Sequence, residues 1–396
     1  MVIVIPCYNE PEIKYTIDSV FRNENPGVSV VVAVVVNSSV DSAVEVKEQN
    51  SRTIKELLSI NTKAPHGYYL KIIEADNLPA KHAGAGWARK IGMDWAVSLF
   101  NKNGNDSGII VSLDADTLVE SNYLSSVYGY FKQNTDKVAA TIYFEHSTIQ
   151  SDYGKISEEA IVLYELYMRF YRNAILSIGF PNSIYTVGSC FAVKVLPYIA
   201  QGGMNRRKAG EDFYFLHKMT MFGTVGEINS TTVYPSSRIS DRVPYGTGPV
   251  IKKYCEGDRS IKQTYPLEAF LVLKSFFGDV DKFYLLGAEL NNTDLSANEV
   301  FVSFAEETDL ASEIAELSAN CSGSDIFRKR FFDLFNAFRI LKWLNYAVLH
   351  EYRKEDLVGE SRKLLFLNGY EADKIPDDPK LMLNLFRIID RTRTNN

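Results

Sequence analysis

In the first third of the chain, apolar positions form short unbroken runs. Between the runs they recur every three or four residues. The runs are residues 2–5, 28–36, 68–74 and 109–113, the second almost entirely β-branched. Runs of this length between polar residues predict buried strands of a mainly parallel sheet. The intervening segments, residues 12–22, 40–60 and 83–100, carry helical spacing, as in Ile13, Ile17, Val20 and Phe21. Strand and helix alternate up to Asp116 with short connections, which predicts a Rossmann-like α/β sheet.

Further along, the pattern predicts helices over 122–131, 157–178 and 212–221 and strands over 138–143, 187–193, 224–228 and 231–234. Residues 235–249 show no periodicity and read as a mobile or ligand-ordered loop. From about residue 260 onward the spacing is helical, over 264–277, 297–304, 311–319, 325–352, 354–367 and 380–389. The expected organisation is an α/β domain over 1–255, with halves 1–118 and 119–255, followed by a mainly helical region over 256–396.

Composition narrows the class. The 396 residues are 46% hydrophobic and 23% charged with a net charge of −6, ordinary for a globular protein. The charge gives no reason to expect a nucleic-acid partner. No apolar run reaches transmembrane length, and the first residues enter a strand pattern without a signal-peptide pattern. Four scattered cysteines, Cys7, Cys190, Cys255 and Cys321, argue against a zinc site or disulfide scaffold and fit a reducing, cytoplasmic setting.

The chemistry gathers where strands end. Ligands of open α/β sheets bind at the carboxyl ends of strands. The fourth run leads into Asp114-Ala115-Asp116, two carboxylates that can share Mg²⁺ or Mn²⁺ with substrate phosphates. Pro6, Tyr8 and Glu10 follow the first strand, Asn37 the second and Asp76 the third. Singly, each reads as readily as a turn or cap; together they describe a pocket for a nucleotide diphosphate and a metal. Glu211 and Asp212 open a helix, where acidic residues are favoured electrostatically, or where a carboxylate could serve as general base. Arg238 and Arg242 in the aperiodic loop could neutralise a diphosphate. His217 reads as a packed histidine or a third metal ligand.

Four motifs, in order, resemble those of family 2 glycosyltransferases of the GT-A fold: residues 4–10 around Pro6-Cys7-Tyr8-Asn9-Glu10, the Gly-rich 83–92 with Arg89, Ser112-Leu113-Asp114-Ala115-Asp116, and Gly210-Glu211-Asp212. The resemblance spans roughly residues 1–235. It implies transfer of a sugar from a UDP- or GDP-sugar to an acceptor hydroxyl of a carbohydrate or glycoconjugate, with inversion and a divalent metal. Asp116 would ligate the metal, and Asp114 the metal or ribose. Asp212 would be the base, and Glu211 would orient it or bind acceptor beside Gly188 and Ser189. Pro6, Tyr8, Glu10, Asn37, Asp76, Arg89, Asp114, Arg238 and Arg242 would line the donor site. The family's usual acidic motif after the second strand is Val36-Asn37-Ser38-Ser39-Val40-Asp41 here, so the donor base stays open. The rival readings are a sugar-phosphate nucleotidyltransferase, whose Gly-rich basic loop after the first strand is missing, a retaining glycosyl-glycerate-type synthase, and a binding protein that has lost turnover. An oligomer is compatible with all of these.

Overall fold

The computed structural model describes residues 1–147, 157–207, 210–240 and 246–393. The chain divides into two compact units. The first holds 1–165, 184–258 and 387–396; the second holds 166–183 and 259–386.

The first unit is built on an eight-stranded sheet of order β3-β2-β1-β4-β7-β6-β8-β5. Its strands are β1 (Val2–Cys7), β2 (Val30–Ser39), β3 (Tyr68–Leu78), β4 (Ile109–Ser112), β5 (Leu118–Val119), β6 (Ala139–Phe144), β7 (Phe191–Lys194) and β8 (Val225–Tyr234). Strands β1 to β4 pair in parallel, as expected. Strand β7 runs antiparallel to both β4 and β6, so the sheet is mixed. The helices of this unit are α1 (Ile13–Phe21), α2 (Val44–Asn61), α3 (Ala85–Lys102), α4 (Tyr123–Gln133), the start of α5 (Glu158–Ser177), α6 (Val195–Ala200), α7 (Glu211–Met219) and α8 (Thr247–Cys255).

Local chemistry explains several boundaries. Strand β1 continues through Pro6 to Cys7 instead of stopping at residue 5. Pairing with β4 ends at Val4, whose carbonyl accepts from Leu113 N. Backbone direction alternates along a strand, so the missing N–H of Pro6 would point where no ladder bond remains. Helix α3 lies close on the sheet because Gly92 is small. A Cβ there would run into Val4 and come within 2.9 Å of a Val35 methyl. Strand β7 begins only at Phe191, because Val187 to Cys190 close a turn through Cys190 N to the Val187 carbonyl. Part of the segment expected to be loop is helix α8, whose Pro249 sits in the first turn, where no intrahelical donor is lost.

The second unit is helical, apart from a two-stranded pair, β9 (Gln263–Thr264) and β10 (Glu355–Asp356). Its helices are α9 (Leu267–Gly278), α10 (Val280–Leu286), α11 (Asn292–Leu295), α12 (Glu299–Glu307), α13 (Leu310–Ala319), α14 (Ser324–Leu334), α15 (Ala337–His350), α16 (Leu357–Leu367) and most of α17 (Pro379–Thr392). Its core is phenylalanine-rich: the Phe276 ring lies 4.9 Å from both Phe301 and Phe335. The single helix expected over 325–352 is two. Asn336 interrupts it and caps α15, its side chain accepting from Phe338 N and Arg339 N. No described helix is long and apolar enough to cross a membrane.

Candidate active site

The Asp114-Ala115-Asp116 segment leaves β4 in a turn closed by Thr117 N donating to the Asp114 carbonyl at 3.2 Å. Helix α1 fixes it from one side, where Thr16 Oγ1 donates to the Ala115 carbonyl at 2.8 Å. From another side, Ser112 Oγ donates to the Gly188 carbonyl at 2.6 Å. Both carboxylates therefore stand on a braced turn at the strand's exit.

Arg89 joins this turn to helix α7. Its side chain is 1% exposed; Nη2 lies 2.6 Å from Asp114 Oδ1, and Nη1 pairs with Glu211 Oε1. Burial alone would lower the Arg89 pKa, but Asp114 and Glu211 hold it above its ordinary value. Two glycines make the approach possible. A Cβ on Gly188 would come 2.7 Å from Arg89 Nη2, and one on Gly86 would collide with the Arg207 carbonyl and crowd Glu211. The Gly-rich segment thus brings α3 and α7 together around one buried guanidinium.

Asp212 follows at the second position of α7, with Oδ1 accepting from Phe213 N at 2.8 Å. Burial and the neighbouring Glu211 charge push its carboxyl up to about 7, against the opposing pull of Arg89. Asp114 is also raised, first by desolvation, with Arg89 opposing and Asp116 and Glu211 adding to the rise. A carboxyl tuned this way suits proton transfer near neutral pH.

A second guanidinium sits on the strand-end carboxylates. Arg238 pairs with Glu10, with Glu12 at 3.2 Å and with Asp116 at 3.1 Å. Glu10 is fully buried, and its Oε1 also accepts from Glu12 N at 2.9 Å. Glu12 escaped the sequence reading because it falls at the start of the α1 pattern, where an exposed helix residue is the simpler expectation.

The remaining candidates are placed as follows. Pro6 is buried within β1, and Tyr8 is half-buried beyond it. Asn37 is buried, and its Nδ2 donates to the Cys7 carbonyl at 2.9 Å, so its amide N–H closes the sheet end. Asp76 lies within β3 and accepts from Ser38 Oγ at 3.0 Å. Gly188 approaches Arg89, whereas Ser189 is buried with its hydroxyl 3.4 Å from Cys190 Sγ. Arg242 lies outside the described residues. The His217 ring lies 4.6 Å from that of Phe213, and burial lowers its pKa to about 4.

The donor set fits a hard divalent cation. The Asp114 side chain is 39% exposed and that of Asp116 23%, both oxygen donors. Among the described residues no cluster of three or more His, Cys, Asp or Glu side chains could hold a metal ion. Mg²⁺ and Mn²⁺ accept such partial protein coordination when phosphate oxygens and water complete the shell.

Residues 2–196 match the model of glycosyl transferase family 2. Solved structures resemble the chain at low identity. One is S. aureus TarS 1-349 in complex with UDP-GlcNAc, 12% identical, with 100% of this chain and 93% of that chain covered and a TM-score of 0.40. A longer TarS structure is 11% identical, at 96% and 54% coverage and a TM-score of 0.38. A third is the mannosyltransferase PcManGT from Pyrobaculum calidifontis in complex with GDP-Man and Mn²⁺, 12% identical, at 88% and 85% coverage and a TM-score of 0.39. No curated protein matches the chain. The eight-stranded sheet with its flanking helices is the Rossmann-like GT-A arrangement, joined here to a C-terminal helical region.

Proposed function

We propose that this protein, a glycosyltransferase by its family 2 match over residues 2–196, moves a sugar from a UDP- or GDP-sugar to a hydroxyl of a carbohydrate or glycoconjugate, with inversion at the anomeric carbon. The observation that carries this reading is Asp212, a carboxyl raised to about 7 and set beside the Asp114–Arg89–Glu211 ladder that reaches the Asp-Ala-Asp turn. A base of that pKa is half ionised at neutral pH and strong enough to accept a hydroxyl proton as attack proceeds.

In the proposed step, Asp212 takes the acceptor proton while the acceptor oxygen bonds to the anomeric carbon from the face opposite the phosphate. The bond from that carbon to the diphosphate oxygen breaks, and its electron pair leaves with the nucleoside diphosphate. Glu211, paired with buried Arg89, holds the start of α7 and so aims Asp212. Arg238 brings positive charge to the donor side, where the diphosphate develops negative charge. Asp116, with Asp114, would hold Mn²⁺ or Mg²⁺, which when bound supplies electrostatic stabilisation of the leaving diphosphate.

Calorimetric titration of UDP and GDP, with and without Mn²⁺, tests the donor site in wild type and Asp116→Asn. Metal-dependent binding of one nucleotide, lost in the variant, is expected. Asp212→Asn is expected to keep nucleotide binding and lose turnover; wild-type turnover in that variant overturns the assignment of the base.

A further inference from the structure

Three carboxylates converge on the guanidinium of Arg238, in the segment that follows β8. Nη2 pairs with Glu10 Oε2 and lies 3.1 Å from Asp116 Oδ2, while Nη1 lies 3.2 Å from Glu12 Oε2. The backbone beneath the side chain is fixed, because Ser237 Oγ donates to the Ser147 carbonyl at 2.7 Å. Any exchange of partners therefore falls to the Arg238 side chain itself.

The three contacts are not equal. Glu10 is fully buried, and a buried carboxylate gives up its cation only at high cost. The side chains of Asp116 and Glu12 are 23% and 30% exposed, so water offsets part of the loss of either contact. Glu10 is thus the pivot of Arg238, and Asp116 is a partner that Arg238 can leave. Asp116 is also the carboxylate that holds the divalent cation in the proposed step. One carboxylate then faces two claimants. A doubly charged cation on Asp116 removes the charge that draws Arg238 and repels the guanidinium. A nucleoside diphosphate offers the same guanidinium a new anionic partner suited to its two-pronged donor edge.

We propose that Arg238 couples the two ligands: it guards Asp116 against a divalent cation alone and passes from Asp116 to the donor diphosphate, pivoting on Glu10, so that metal and nucleotide bind as a linked pair. The ligand class is a divalent metal–nucleoside diphosphate complex, in preference to either component alone. The inference rests on the metal-dependent transferase reading and deepens it. By linkage, the factor by which diphosphate raises metal affinity is the factor by which metal raises nucleotide affinity.

The test uses two binding measurements on the whole chain and no turnover. Binding of Mn²⁺ alone is read from the loss of the electron paramagnetic resonance signal of free Mn²⁺. The coupling factor is the ratio of nucleotide Kd without Mn²⁺ to that with saturating Mn²⁺, by calorimetry, using UDP or GDP, whichever the wild type binds. Arg238→Gln is expected to bind Mn²⁺ alone about three- to tenfold tighter than wild type, the weight of one ionic hydrogen bond, and to show a coupling factor smaller by a similar amount. Adding Asp116→Asn to Arg238→Gln is expected to abolish the gain. Arg238→Lys keeps a cation against Glu10 but not the two-armed fork; it is expected to move both readings the same way, less far, and it carries the test if Arg238→Gln does not fold. Mn²⁺ binding no tighter in either Arg238 variant than in wild type, an absence of binding to all three included, overturns the inference, as does an unchanged coupling factor in both variants. Either result leaves the transferase reading standing on nucleotide binding. A wild type that binds neither nucleotide, with or without Mn²⁺, removes both.

Discussion

Replacing Arg89 by Met is the most demanding test of how the site is held together. The side chain is 1% exposed and pairs with Asp114 at 2.6 Å and with Glu211, itself 8% exposed. Methionine fills much of the volume, so the dominant effect is electrostatic: Glu211 and Asp114 lose their shared counter-ion in a poorly solvated place. Removing one partner of a buried pair typically costs about 3–5 kcal/mol. The Asp114 contact, more open to water, belongs at the low end, so about 3 kcal/mol is expected at pH 7. The pH dependence gives the sharper check. Arg89 pulls the pKa values of Asp114 and Asp212 down, so without it both rise further. Protonation then relieves the repulsion, and the penalty should shrink between pH 7 and pH 5. Urea titration followed by tryptophan fluorescence reads this, because Trp87 and Trp95 both lie on α3 beside the substituted residue. A loss below about 1 kcal/mol at pH 7, the range of an exposed pair, or a penalty that grows on acidification, would refute the reasoning.

Asp212 should also set the pH profile: log kcat/KM is expected to rise with pH up to about 7 and then level off. Its folded pKa lies above the unfolded value, so the folded state holds the proton more tightly and stability falls as pH rises from about 4 to about 7. Asp212→Asn should therefore be more stable than wild type at pH 8 and not at pH 4, by thermal melts at each pH. Gly86→Ala places a methyl against the Arg207 carbonyl and 3.0 Å from Glu211 Cβ; a loss of about 1–3 kcal/mol and a larger fall in turnover are expected, read by melts and donor-transfer assays. Arg238→Gln removes a cation that bridges Glu10, Glu12 and Asp116, so nucleotide affinity by calorimetry should drop about tenfold, as for a lost charge-assisted hydrogen bond.

How much of this was legible in the sequence depends on distance along the chain. The unbroken apolar runs made β1, β2 and β4 readable, because a strand buried on both faces leaves a purely local signature. The position of Asp114 and Asp116 followed from the same signature. Helix α8 was hidden, since Gly246, Gly248 and Pro249 look like loop residues until the helix start is known to tolerate them. Arg89 was legible as part of a Gly-rich motif, but its partner Glu211 lies 122 positions away. No local pattern announces that an arginine will be buried between two carboxylates. The same holds for Glu165 and Arg387, 222 positions apart, each unremarkable on its own amphipathic helix.

This contrast bears on how the site works. The residues that were readable lie at strand ends, where the sheet alone presents them on one edge. What was not readable is the contact between the residues that aim them, Arg89 and Glu211, which the sequence offered only as members of separate motifs. Asp212 is raised first by burial and then by Glu211, with Arg89 opposing; α7 is held against the turn after β4 through Glu211 and Arg89, and that approach depends on Gly86 and Gly188 having no side chain. A motif therefore names the candidate carboxylates without fixing their protonation behaviour. It follows that a substitution at Gly86 or Gly188, which would touch no substrate in the proposed step, should move the pH midpoint of kcat/KM, whereas one at Arg238 should move nucleotide affinity and leave that midpoint in place.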